Sequence, residues 1–394
     1  MPLILTGEGD LGLFATDPEV GSRTVTAGDR SRPDRSRDDT LAWQLAVIFV
    51  SVAAVVLGVT VVVLAAADLG LTVLHPSRRG LLSRHVEHLA WAGVRRLTRL
   101  GGRDRLLSFG GPAAMAADLL AWVFSLWLGF ALIQPPSVHT FRYSPGWPGH
   151  EGFVEALYLS GASLTTVGFG DVVAGSEVLR LVTILEAASG LAVITAAIAY
   201  VTAVYPRVSL VRVAASWATD LQADTEEGAA RFICHGGRDE VARLQRNLIE
   251  IHQDLLRFPV LYYFHAGVPG ESTASLLRAA ALVCTYLRYG LAWEAVPFAA
   301  LYGPGLERTL ERLLDDYARE FRGAHLTERS LDQHEAHARL HRLREDLRRV
   351  APESVSSEPG VPPDLARFLA HIDTFLLELG RVHRHSAAPL FGER

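Results

Sequence analysis

Seven consecutive residues, Thr165 to Asp171, have types and spacing suited to binding a dehydrated cation; their sequence is TTVGFGD. A cation that loses its water needs other oxygens, and backbone carbonyls supply them when successive carbonyls point to the same side. This requires unusual, often positive φ angles at alternate residues, which glycine adopts at little cost. Gly168 and Gly170 provide that freedom, and Thr166 adds a hydroxyl. A chance tight turn is the competing interpretation of a GxG pattern.

The loop is bracketed by hydrophobic segments that are long enough to cross a membrane. Residues 40–67 contain no charged residue, and residues 113–133 contain one acidic residue. A third segment, residues 178–205, carries only one charged residue after its first turn, Glu186. At about 1.5 Å per residue, each segment can span a hydrocarbon core about 30 Å thick. Because lipid tolerates only helices and closed barrels, these segments predict an all-α membrane protein.

Together with its flanking segments, the loop resembles the two-helix pore unit of potassium channels, whose filter is written TVGYG. The resemblance covers residues 113–205 and implies an outer helix, a pore helix over residues 153–164, the filter at residues 165–171 and an inner helix. It implies that potassium ions bind to the carbonyl oxygens of four residues: Thr166, Val167, Gly168 and Phe169. Since four such loops complete each ring of carbonyls, it also implies a homotetramer. Residues 40–67 would then be an extra N-terminal transmembrane helix.

Three neighbouring residues have supporting roles in this resemblance. Thr165 and Gly170 support the filter, and Asp171 at the outer mouth raises the local cation concentration. The sequence departs from the family twice: Phe169 replaces the commoner tyrosine, and Ala162 stands where some bacterial members have a glutamate that bonds to the residue at the position of Asp171. Both changes remove a restraint, so we expect a potassium-selective filter that is less rigid than usual.

Two residues of the third segment are candidates for gating. Gly190 lies 19 residues after Asp171, near the place where the resemblance implies a bend in the inner helix. The alternative for Gly190 is a small residue that permits close helix packing. Glu186 is ionisable and lies inside the membrane, where such groups are usually functional because their exposure to hydrocarbon is costly. We expect it to face the back of the filter or a neighbouring subunit, and the sequence names no partner for it.

The arginine distribution orients the chain in the membrane. Residues 68–118 hold eight arginines, whereas residues 135–157 hold only Arg142. The positive-inside rule therefore places the first of these segments in the cytoplasm and the pore loop outside. Residues 206–394 are then cytoplasmic, and residues 1–39 are outside although they carry five arginines. This N-terminal tail shows no periodicity and is predicted to be disordered.

The segment between the first two spans, residues 68–112, interleaves leucine and valine with arginine. Two interpretations of this basic amphipathic pattern stay open. One is a helix on the inner membrane surface, where anionic lipids attract it. The other is a solvated helix that packs against the cytoplasmic domain.

The cytoplasmic part, residues 206–394, shows helical periodicity without strand alternation, which predicts a helical bundle. The predicted helical segments are Val241–Leu256, Thr273–Tyr289, Leu306–Phe321, Leu331–Val350 and Leu365–Val382. On one of them, His334, His337 and His341 share a face that could hold a transition metal. We prefer the alternative of a solvated helix face, so that potassium is the only metal we expect. Whether this part binds a cytoplasmic ligand is left open.

Other function classes find little support in the composition. No catalytic or cofactor-binding pattern is present, so we expect neither enzyme activity nor a cofactor. All basic residues other than histidine are arginines, which excludes the lysine of a phosphate-binding P-loop. Basic and acidic residues balance, so nucleic-acid binding is not expected. The sequence predicts a multi-pass potassium channel of the cell membrane; the alternative is a membrane-anchored helical scaffold or sensor whose filter does not conduct.

Overall fold

The computed structural model of the chain describes most residues between 35 and 391. The described ranges are residues 35–74, 80–101, 104–146, 152–292, 294, 296–321, 331–356, 362–383 and 390–391. The disorder predicted for residues 1–39 therefore lies almost wholly outside the described residues. The chain divides into two units, residues 1–50 and residues 51–394. In the first unit, the described residues form the beginning of the first helix.

Helices account for nearly all of the described structure. The α-helices are α1 (Arg35–Leu74), α2 (Leu81–Gly101), α3 (Gly110–Ile133), α4 (Phe153–Leu164), α5 (Glu177–Asp220), α6 (Glu226–Arg257), α7 (Thr273–Thr285), α8 (Pro297–Glu320), α9 (Gln333–Val350) and α10 (Leu365–His383). Two short strands, β1 (Arg142–Tyr143) and β2 (Val172–Val173), pair antiparallel. Short 3-10 turns cover Asp104–Phe109, Pro135–Thr140, Pro259–Tyr263, Pro269–Glu271 and Pro352–Ser354, and a π-helical turn covers Tyr286–Gly290.

Among the described residues, three helical stretches are long and apolar enough to cross a membrane: Trp43–Val73, Leu107–Ile133 and Glu177–Asp220. The first stretch covers residues 43–67 of the predicted segment 40–67, and the other two contain the predicted segments 113–133 and 178–205. The helix α4 has the bounds expected for the pore helix, residues 153–164. The chain is therefore an all-α membrane protein, as the sequence predicts.

Close backbone contact and a buried carboxylate join the end of α1 to α3. A Cβ on Gly58 would lie 2.6 Å from the carbonyl oxygen of Gly129, so both helices need glycine where they cross. Further along α1, Asp68 is buried and accepts hydrogen bonds from the Trp122 indole at 2.9 Å and from the Leu82 amide at 2.8 Å. The same carboxylate accepts from both the amide and the hydroxyl of Ser83. Asp68 thus caps α2 and ties α1 to α3.

The basic amphipathic segment forms α2, which packs against the helical domain of residues 206–394 rather than standing apart from it. Trp91 is buried, and its ring centroid lies 5.9 Å from that of Tyr263. The Tyr263 hydroxyl lies 3.2 Å from His88 and donates a hydrogen bond of 2.6 Å to Glu320. These contacts favour the second interpretation of the segment. The opposite face still exposes leucines such as Leu89, for which membrane-surface contact stays a prediction.

The inner helix α5 runs from the pore region into the helical domain without a break. It continues through Pro206 to Asp220, whereas the sequence placed the end of the third segment at residue 205. In the helical domain, α6 is one helix in hydrogen bonding but bends at Gly237, which has φ 67°. Near the chain end, Phe391 is fully buried against Tyr286, with ring centroids 5.3 Å apart. Residues 206–394 thus form the predicted helical bundle in their described part.

Candidate functional site

The filter residues have the alternating backbone conformation that carbonyl alignment requires. Thr166, Gly168 and Gly170 have φ angles of 57°, 55° and 80°, whereas the residues between them have no positive φ. A positive φ at every second residue turns successive peptide groups so that their carbonyls can face the same side. Thr166 adopts this conformation although it is not glycine, at a cost of about 1–2 kcal/mol. The expectation of alternate positive φ angles is met over five residues.

The amide groups of the filter point towards the pore helix. The amides of Val167 and Gly168 both donate to the Ala162 carbonyl, at 3.1 and 3.2 Å, and the Thr166 amide donates to Ser163 at 3.0 Å. These bonds satisfy the last turn of α4, whose final carbonyls have no partner inside the helix. They also hold the filter strand against the helix that supports it.

Four consecutive carbonyls of the filter, those of residues 166–169, accept no hydrogen bond from the described residues of the chain. Residues 165–170 are exposed, and the Phe169 side chain is 68% exposed. A row of unbonded, accessible backbone oxygens can replace the water around a cation.

Two bonds hold the outer end of the filter to the strand before the pore helix. The Ser144 amide donates to the Asp171 carbonyl at 2.8 Å, and the Ser144 hydroxyl donates to the Gly170 carbonyl at 3.3 Å. The β1–β2 pair continues this attachment, with Tyr143 opposite Val172. These contacts anchor β2, which follows the filter, and they leave the carbonyls of residues 166–169 free.

Tyr158 supplies a restraint that the sequence interpretation counted as lost. Its hydroxyl donates a hydrogen bond of 2.6 Å to the Asp171 carboxylate, and its ring stacks on Phe169 with centroids 6.2 Å apart. The glutamate missing at Ala162 thus has a substitute one helical turn earlier in α4. The hydrogen bond from Tyr158 lowers the pKa of Asp171 below its usual value, so the carboxylate stays charged at neutral pH. The expectation of a filter without both restraints is therefore corrected.

The sequence carries a partial signal for the role of Tyr158. The residue lies four positions before Ala162, so both side chains are on the same face of α4. A long side chain with a terminal donor can reach from this turn to the filter exit. The pattern alone does not say which of the polar residues in α4 points that way.

Gly190 packs against the end of the pore helix. A Cβ at this position would lie 1.8 Å from the carbonyl oxygen of Leu164, so any larger residue would force α4 and α5 apart. The helix α5 continues through Gly190. This geometry favours close packing over a bend as the reason for the glycine, and a role of Gly190 in gating stays a prediction.

Glu186 contacts the pore helix α4, whereas its placement behind the filter or against a neighbouring subunit stays a prediction. It is fully buried, and its carboxyl group contacts the Ser160 hydroxyl of α4. The Gln134 side-chain amide at the end of α3 donates to the other carboxyl oxygen at 3.3 Å. Three elements of the pore region therefore meet at one carboxyl group, which names the partners that sequence analysis could not.

Among the described residues, the histidine face and the helical domain show no comparable site. His334, His337 and His341 are exposed on α9, and His341 lies 3.8 Å from Glu345 on the same helix. In the described part of the chain, no three His, Cys, Asp or Glu side chains come together as metal ligands would. A cavity of about 930 Å³ lies between α8 and α10, lined by acidic side chains such as Glu311 as well as by Arg367 and Phe375. Nothing in this cavity distinguishes one class of ligand from another.

Comparison with known proteins agrees with the geometry of the pore region. Residues 119–206 match the family model described as "Ion channel". The chain is 25% identical over 230 residues to the "Uncharacterized membrane protein YdjJ" of Bacillus subtilis (strain 168), an alignment that covers 56% of this chain and 65% of that protein. The chain thus spans a little less than two thirds of the length of this relative. No solved structure matches. The protein is therefore an all-α membrane protein that contains an ion channel domain within residues 119–206.

Proposed function

We propose that the protein is a potassium-selective channel that conducts passively through a pore formed by four copies of the chain. The observation that carries this proposal is the filter backbone, with positive φ at Thr166, Gly168 and Gly170 and unbonded carbonyls from residue 166 to residue 169. Rings of backbone carbonyls replace the hydration shell of potassium in filters of this sequence type. The Thr166 hydroxyl would close the innermost ion site, and the Asp171 carboxylate would attract cations to the outer mouth.

Four copies are proposed because one filter strand provides only one side of each ion site. The inner helix α5 offers a surface for this assembly, since a stripe of large apolar side chains is exposed in the single chain. These residues are Val178, Leu181, Ile184, Leu185, Leu191, Ile194 and Ile198. Exposed apolar surface of this extent is covered by lipid or by neighbouring subunits. We propose that α5 contacts both lipid and neighbouring subunits. The ion path would then lie on the symmetry axis of the four copies.

The proposed orientation places residues 206–394 in the cytoplasm. It is supported by the arginine asymmetry between residues 68–118 and residues 135–157. Because α5 continues unbroken from the pore region to Asp220, a movement of the helical domain can act directly on the inner helix. We propose that the domain assembles or regulates the pore in this way; a ligand for it is not assigned.

Ion flux from reconstituted vesicles tests the proposal. Purified protein in liposomes with an outward potassium gradient should show potassium flux that barium blocks, while sodium under the same gradient should pass far more slowly. Gly168→Ala should abolish the flux. A Cβ on Gly168 meets no atom within 4 Å in the chain, so the effect would come from the positive φ, which costs other residues about 1–2 kcal/mol.

The control variant is Gly93→Ala, a glycine on α2 whose added Cβ also meets nothing within 4 Å but whose φ is ordinary. It should conduct like the wild type. Equal sodium and potassium flux would contradict potassium selectivity. Absence of flux under all conditions would favour the alternative of a membrane-anchored scaffold, and a monomer or dimer in detergent would contradict the tetrameric pore.

A further inference from the structure

The carboxyl group of Glu186 is buried without a positive charge beside it. Its relative exposure is 0%, as are those of its two partners, Ser160 and Gln134. Within the described residues, Glu186 forms no ion pair, and both of its contacts are with neutral side chains. Desolvation would strongly destabilise an ionised carboxylate in such a place, because no positive charge compensates it.

The number of hydrogens available to the Ser160 hydroxyl and its two neighbours shows which group must donate. The Ser160 hydroxyl has one hydrogen, and its oxygen lies within bonding distance of both the Trp127 carbonyl, at 2.9 Å, and the Glu186 carboxyl. Both neighbours are acceptors if Glu186 is ionised, so one contact would lack a hydrogen. If Glu186 carries a proton, it donates to Ser160, and Ser160 donates to Trp127. The Gln134 amide then donates to the remaining oxygen of Glu186, and every contact has its hydrogen.

We infer that Glu186 is a neutral carboxylic acid that positions the filter by donating a hydrogen bond to the pore helix. This inference rests on the proposed function, because it assigns the role of Glu186 to ion selection. Ser160 lies five residues before Thr165, so the donor bond fixes α4 about one and a half turns from the first filter residue. The bonds to Trp127 and Gln134 link the same point to α3. Glu186 is thus a positioning residue that joins the inner helix to the filter support.

Glutamine is the variant that separates a neutral donor from a charged group. Glu186→Gln keeps one N–H donor for Ser160 and one carbonyl acceptor for Gln134, whereas Glu186→Leu removes both. We expect Glu186→Gln to keep the potassium-to-sodium permeability ratio within about twofold of the wild type, because a protonated carboxyl and an amide offer the same hydrogen-bonding pattern. Glu186→Leu and Ser160→Ala should lower the ratio about tenfold, because each leaves buried polar groups without their partners.

Two control variants match these changes away from the cluster. Glu177→Gln makes the same substitution at an exposed position on the same helix. Thr60→Ala removes a hydroxyl that bonds only to the Val56 carbonyl of its own helix. Both should leave the permeability ratio unchanged. The tetramer in detergent should be checked for every variant before its flux is compared.

Infrared difference spectroscopy provides a readout that does not depend on conduction. The spectrum of the wild type minus that of Glu186→Gln should contain the carbonyl-stretching band of a protonated carboxylic acid at neutral pH. If Glu186→Leu does not assemble, the glutamine variant and its spectrum still decide the protonation state. Absence of the band would overturn the inference, as would a glutamine variant that loses selectivity as much as the leucine variant.

The inference and the proposed function can fail separately. If the wild type conducts and none of the variants at positions 186 and 160 changes selectivity, Glu186 does not position the filter, and the inference fails alone. If the wild type passes no ions, the proposed function and the positioning role fail together. The infrared band then still reports whether Glu186 carries its proton.

Discussion

The Tyr158 hydroxyl and the Asp171 carboxylate lie 2.6 Å apart, so that the middle of the pore helix is bonded to the outer end of the filter. The ring of the same tyrosine stacks on Phe169, with an angle of 14° between the ring planes. A single side chain thus compensates for both departures from the usual filter sequence. The lost hydroxyl at position 169 is replaced by a stacking contact, and the missing glutamate at position 162 by a tyrosine donor.

Tyr158→Phe should destabilise the conducting filter while leaving the stack on Phe169 in place. We expect currents that decay several-fold faster under sustained potassium flux, because the Asp171 carboxylate loses its donor. Asp171→Asn should have a smaller effect, since the asparagine carbonyl still accepts from Tyr158. Single-channel recording measures the decay. The double variant Tyr158→Phe with Asp171→Asn completes a double-mutant cycle, which measures the coupling between the two side chains. Independent, additive effects of the two changes would show that the bond does not restrain the filter.

The acid response of the outer mouth follows from the same pair. Since the hydrogen bond lowers the pKa of Asp171, its stabilising contribution is complete above the ordinary aspartate pKa and is lost as the pH falls through the lowered value. Acidification of the outer solution should therefore speed current decay in the wild type. In Tyr158→Phe, which lacks the hydrogen bond, this acid-dependent loss should be absent, which recording across an acid titration would show. The same pH dependence in both proteins would contradict the assignment.

Gly190→Ala should weaken the pore domain because of steric overlap between the inner helix and the pore helix. The added Cβ would lie 1.8 Å from the Leu164 carbonyl oxygen, and overpacking of this kind costs about 1–3 kcal/mol. Thermal dissociation of the tetramer in detergent measures the loss. Gly70→Ala is the matched control, since a Cβ there meets no atom within 4 Å. A Gly190→Ala protein with unchanged stability but altered open probability would instead favour the hinge interpretation.

Asp68→Ala should destabilise the junction of α1, α2 and α3. It removes the acceptor of four hydrogen bonds, two of them from Ser83, and leaves buried donors such as the Trp122 indole unsatisfied. We expect a loss of about 2–4 kcal/mol, since each unsatisfied buried donor costs about 1–3 kcal/mol. Chemical unfolding followed by tryptophan fluorescence measures it, and Asp239→Ala, at an exposed site on α6, is the control. A loss no larger than that of the control would contradict this role.

Arg339→Ala should destabilise the helical domain because it leaves a buried carboxylate unpaired. Arg339 is 1% exposed and bonds to Asp373, which is fully buried, and to the Leu390 carbonyl at 3.0 Å. Breaking such a pair costs about 3–5 kcal/mol, whereas replacing both members by apolar residues costs less. On heating, Arg339→Ala should therefore lose its helical circular dichroism at a lower temperature than the double variant Arg339→Met with Asp373→Leu. If the double variant unfolded at the lower temperature, the unpaired Asp373 carboxylate would not be the cause of the loss.

Several parts of the structure could be predicted because they depend on neighbours in the chain. The glycine spacing of the filter specifies the φ alternation of residues 166–170, since backbone sterics act within a residue or two. Hydropathy over about twenty residues identifies the spans, because each helix satisfies its own backbone bonds in lipid. The bounds of α4 follow from the same local pattern. Even here the end of α5 was placed at residue 205 although the helix continues, because the helical domain packs around its extension.

The sequence by itself therefore determined the class of protein, the φ alternation of residues 166–170 and the helices around them. Tertiary structure alone decided which side chains hold that filter. Tyr158 meets Asp171 across 13 residues, and Ser160 meets Glu186 across 26. Such contacts depend on how helices cross and rotate, which is settled by packing of the whole pore region rather than by any local pattern. For the same reason the close approach of Gly190 to Leu164, which favours packing over a hinge, appears only in the folded chain.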